Sequence, residues 1–61
     1  MYTNLYNVRT RLKVSQSKLS ELSRVSQSQI SKIEKGLTSS PAHDKLVRIA
    51  EALNCTIDDL R

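Results

Sequence analysis

Sixty-one residues supply one domain with a near-minimal core, because a chain of this size buries only about 60% of the surface it exposes when unfolded. Aromatic content of 3%, with no Trp or Phe, argues against a β-sandwich and for short helices packed through Leu, Ile, Val and Ala. The lone cysteine, Cys55, rules out an internal disulfide and any Cys/His zinc cluster, and no apolar run approaches the roughly 18 residues of a membrane span. With no signal-peptide pattern at its start, the chain reads as cytoplasmic.

Helical periodicity then accounts for most of the sequence in chain order. Leu5, Val8 and Leu12 recur at i, i+3 and i+7 behind Asn4, a good N-cap, which predicts a first helix over about 4–13. Ser15 opens a two-turn segment over about 16–24 carrying Leu19 and Leu22. A third helix starts at Ser26, directs Ile30 and Ile33 inward with Leu37 continuing that row, and stops at Gly36, where a left-handed residue is usually wanted. Ser40 and Pro41 are placed as N-cap and first residue of a fourth helix, in which Leu46, Ile49, Ala50 and Leu53 repeat at i, i+3, i+4 and i+7 and which ends at Asn54. Thr56 with Asp59 resembles a capping box, so Ile57 to Leu60 should form a last helical turn. The expected fold is all-α, a compact bundle of five short helices in a single domain over residues 1–61.

Charge is distributed unevenly along this bundle. The net charge is +4, yet residues 1–36 hold seven basic residues against Glu21 and Glu34, a net of +5, while residues 37–61 are slightly acidic. Segregated basic charge is the electrostatic footprint of a polyanion-binding face. The third helix sharpens that inference. At 100° per residue, Ile30, Ile33 and Leu37 fall within about 60° of one another, and Ser28, Ser31, Lys32 and Lys35 line the opposite side. An ordinary solvated helix would mix Glu with its lysines at i, i+4; here the only acid, Glu34, lies beside the apolar face. Small side chains allow deep entry into a DNA major groove about 12 Å wide, where amides and ammonium groups reach base edges and phosphates.

The run "SQSKLSELSRVSQSQISKIEKG", followed by "P" and "IAEALNCTIDDL", resembles the phage repressor and Cro-like helix-turn-helix family, also called the XRE family. The resemblance covers nearly the whole chain and rests on Gln16, Leu19, Val25, Ser26, Ile30, Ile33, Glu34, Gly36, Leu53 and Leu60 in register. It implies a lambda-repressor-like domain with the helix-turn-helix in helices two and three, helix three entering the major groove. By position, Gln27, Ser28 and Lys32 would read bases, with Gln29 and Ser31 at the margin. Gln16 would contact a phosphate while bonding Gln27, and Lys35, Arg11, Thr38 and Ser39 would hold the backbone on either side. Arg9 would pair with Glu34. Arg24 and Ser20 depart from the family's usual Gly and Ala; at a turn needing positive φ, a residue other than Gly costs about 1 kcal/mol.

The function implied is a sequence-specific transcriptional regulator, in the repressor sense, bound to double-stranded DNA. A single head with two or three readers discriminates poorly, so a homodimer on a palindromic operator is expected, through Ile57 and Leu60. The alternative is a protein-binding adaptor or antitoxin-type module on the same fold. With one His, His43, one Cys and no Gly-rich loop, no catalytic site assembles; no cofactor, metal, membrane or small-molecule ligand is expected.

Overall fold

A computed structural model of the protein describes residues 2–38 and 41–61, and all regular structure among them is helical. Four α-helices follow one another as α1 (Leu5–Arg11), α2 (Gln16–Ser23), α3 (Gln27–Glu34) and α4 (His43–Ala52). The fifth expected helix is a single 3-10 turn over Asp58–Leu60, closed by i→i+3 bonds from Asp59, Leu60 and Arg61 to Thr56, Ile57 and Asp58. Three residues cannot close the i→i+4 ladder of an α-helix.

Serine caps begin the two helices of the central motif. The Ser15 hydroxyl accepts from the Lys18 N–H at 2.9 Å, and the Ser26 hydroxyl accepts from the Gln29 N–H at 3.2 Å. Asn4, expected to cap α1, does something else: its amide donates to the Asp59 carbonyl at 2.7 Å, and its side-chain oxygen accepts from Asn7. The start of α1 is thereby tied to the terminal turn. That turn carries the expected reciprocal box, with the Thr56 N–H donating to Asp59 Oδ2 and the Asp59 N–H donating to Thr56 Oγ1.

Helix ends are handled by left-handed residues. After α1, α3 and α4 the residues Lys13, Gly36 and Asn54 have φ of 60, 72 and 54°, and each is followed by a bond running five residues back: Val14 to Arg9, Leu37 to Lys32, Cys55 to Ala50. In α2 the left-handed residue is Arg24, φ 60°, so the expected positive-φ turn is kept with a non-glycine residue. Ser23 completes it, its hydroxyl donating to the Leu19 carbonyl at 2.7 Å and accepting from the Val25 N–H at 3.3 Å.

Leu5, Leu19, Val25, Ile30, Ile33, Ile49, Ala50, Leu53 and Leu60 form the core, with α2 against α3 and α4, and α1 against α3 and the terminal turn. Three expectations need correction. Leu37 is 71% exposed rather than inward, because the left-handed Gly36 takes the chain off the helical wheel. Pro41 precedes α4, whose N-cap is Ala42, and Ser40 lies outside the described residues. Leu60 is fully buried inside its own chain and is unavailable to a second copy; Ile57 is half-buried against the core.

Two outcomes follow for stability. Arg24 is exposed and strained, so Arg24→Gly should raise the unfolding free energy by up to about 1 kcal/mol in urea titrations. First the Thr56 N–H and then the Thr56 hydroxyl hold the Asp59 carboxyl below the usual carboxylate range. A depressed folded-state value stabilises above the unfolded value of about 4 and is lost as pH falls through the folded one. Asp59→Asn should therefore flatten the fall of the urea midpoint between about pH 4 and pH 2.

Candidate nucleic-acid interface

The helix-turn-helix runs from α2 through Arg24, Val25 and Ser26 into α3. Val25 is buried at the turn, and Ile30 and Ile33 seat α3 on the core. Seating these three side chains fixes which face of α3 looks outward. Gln27, Ser28, Gln29, Lys32 and Lys35 are exposed and Ser31 is half-buried. None of them is acidic.

The acid of α3 is consumed internally. Arg9 Nε donates to Glu34 Oε2 at 2.6 Å and Arg9 Nη2 to Glu34 Oε1 at 3.1 Å, with side chains only 9% and 5% exposed. Arg9 Nη1 donates to the Val14 carbonyl at 2.8 Å, and the Tyr6 ring lies 5.5 Å from the guanidinium carbon. The hydrogen bond to Glu34 is the main cause that raises the Arg9 pKa further above its ordinary value, against the opposing effect of burial. The forked geometry satisfies both carboxylate oxygens, as a buried pair requires.

Gln16 joins this clamp. Its Nε2 donates to Glu34 Oε1 at 2.9 Å, so its amide is engaged by Glu34 and not by Gln27, as the resemblance had implied. A charged acceptor gives a stronger bond than a neutral amide, which accounts for the change of partner. Gln29 is instead held from outside the helix-turn-helix, its Oε1 accepting from Lys45 Nζ of α4 at 2.5 Å. Sequence reasoning missed Lys45 because the pair spans 16 residues and an intervening loop.

The expected backbone contacts are distributed less evenly. Lys35 and Thr38 adjoin the end of α3, while Ser39 lies outside the described residues. Arg11 lines a different place, a cleft of about 340 Å³ with Val8, Leu12, Leu53, Cys55 and Asp59 that no α3 residue borders. In that cleft burial, and then the Asp59 charge, push the Cys55 thiol up, which suits a packing residue better than a nucleophile. His43 is exposed. Among the described residues no three His, Cys, Asp or Glu side chains form a metal-holding group, and no helix is long and apolar enough to cross a membrane.

A helix-turn-helix family model matches residues 5–60, which takes in all four helices and the terminal turn. The chain belongs to the Cro/C1-type (XRE) helix-turn-helix family. It is a DNA-binding regulatory domain in the general sense of that family. No curated protein and no solved structure matches it.

The clamp is separable from the outward face of α3 by mutation. Arg9→Met leaves Glu34 buried and unpaired and should cost about 3–5 kcal/mol, whereas adding Glu34→Leu should restore most of that loss. Equal destabilisation of the single and the double variant, measured by urea unfolding, would show that the carboxylate is not the source.

Proposed function

We propose that this helix-turn-helix domain is a sequence-specific repressor that lays α3 in the major groove of double-stranded DNA. Gln27, Ser28 and Lys32 read base edges there, with Gln29 and Ser31 at the margin. Lys35, Thr38 and Ser39 grip the phosphates on one flank, and the second amide hydrogen of Gln16 reaches a phosphate on the other. The observation that carries this proposal is the exposed, acid-free face of α3, combined with withdrawal of Glu34 into the Arg9 clamp. A polyanion meets hydroxyls, amides and ammonium groups, with no free carboxylate on that face to repel it.

Two or three readers worth about 1–3 kcal/mol each are too few for one head to find a site, so the operator is a palindrome bound by two copies, with half-sites about 10 base pairs apart. Leu60 belongs to the core, which leaves half-buried Ile57 and its surroundings as the terminal surface a second copy can use.

Selection of bound sequences from random duplex DNA should return such a half-site. Gln27→Ala and Lys32→Ala should each relax preference at one position and weaken the selected site by about 1–3 kcal/mol. Lys35→Ala should weaken all sequences alike and reduce the slope of log affinity against log salt by about one. Sequence-blind binding by the unaltered protein would favour the adaptor-type module instead.

A further inference from the structure

The helix-turn-helix has one reading side chain oriented by an element outside it. Gln29, exposed on the first turn of α3, receives a 2.5 Å bond on Oε1 from Lys45 Nζ in the first turn of α4. An ammonium can only donate, so the amide atom facing it is the oxygen, and the amide NH2 points elsewhere. Lys45 is half-buried and makes no ion pair among the described residues.

A glutamine free to choose its orientation pairs with adenine, accepting from N6 and donating to N7. Gln29 is disfavoured in that mode: Lys45 takes one of the two lone pairs of Oε1, and the positive charge beside the other repels the adenine amino group. What the pair chiefly offers is the amide hydrogens of Gln29 and the remaining ammonium hydrogens of Lys45, all donors. Guanine is the base whose major-groove edge carries two adjacent acceptors, O6 and N7. We propose that Lys45 is a specificity-positioning residue that orients Gln29 to read guanine as a donor. This rests on the major-groove function proposed above and adds to it a base identity and a residue outside the motif.

The test is selection from random duplex DNA with the unaltered chain, Lys45→Met, Lys45→Arg and Gln29→Ala, each first shown to be folded by its thermal transition. The unaltered chain should select guanine at one half-site position. Lys45→Met, which keeps an apolar stem and loses the donor, should lower the guanine-to-adenine preference there by about tenfold and leave the other positions unchanged. Lys45→Arg should retain guanine, and Gln29→Ala should erase preference at the same position only. The proposal is overturned if Lys45→Met keeps the guanine preference, or weakens every sequence equally with a salt slope lower by about one, which is the behaviour of a phosphate contact. Selection of no sequence by the unaltered chain would overturn the major-groove function as well, so the two failures are told apart.

Discussion

The forked ion pair between Arg9 and Glu34 joins every part of the motif. It links the last turn of α1 to the last turn of α3, takes in the Val14 carbonyl ahead of α2, and accepts the Gln16 amide at the first turn of α2. A buried carboxylate is tolerable only when its oxygens are matched, and here Oε2 has one donor and Oε1 two. With Tyr6 over the guanidinium, the pair is shielded from water and therefore interacts more strongly than an exposed one. The same contact that ties α3 to α1 and α2 also withdraws the only acid of α3 from its outward face. Stability and electrostatic fitness thus come from one set of hydrogen bonds.

The rest of the fold is economical in a way that follows from its length. Ten apolar residues among those described are buried, drawn from every helix and from the terminal turn, so each element is held mostly by its neighbours. Short helices need abrupt ends, and the chain has one glycine to make them. It stands at Gly36, directly after α3, while Lys13, Arg24 and Asn54 accept left-handed backbone without that help. Buried polar groups are satisfied locally: Ser23 closes the turn between α2 and α3 with two bonds of its own, and no buried side-chain polar atom among the described residues lacks a partner.

Period and caps made much of this legible in the sequence. Leu5, Leu19, Ile30, Ile33, Leu46, Ile49, Ala50 and Leu53 lie on helical rows and are all buried, and Ser15, Ser26, Gly36 and the Thr56–Asp59 box behave as their chemistry dictates. Inference failed where the period stopped, and on two of the rows as well, since Leu12 and Leu22 are exposed. Leu37 follows the left-handed residue that ends α3, and Leu60, which has no helical row to place it, turns into the core. Contacts between elements were harder still: Arg9 lies 25 residues from Glu34, a pairing suggested by family resemblance and by no spacing rule, and the link from Lys45 to Gln29 had no sequence signal. The Asn4 amide was read as a local cap, but it reaches 55 residues along the chain to the Asp59 carbonyl.

The central claim is that α3 presents its outward face to DNA while its acid stays inside the clamp. Amide chemical-shift mapping during titration of a selected duplex tests it most directly. The account predicts the largest changes at residues 26–32 and 35–38 with Glu34 and Arg9 side-chain signals still those of a bonded pair. Changes concentrated at the cleft of Arg11, Leu12 and Cys55, with α3 unmoved, would contradict it.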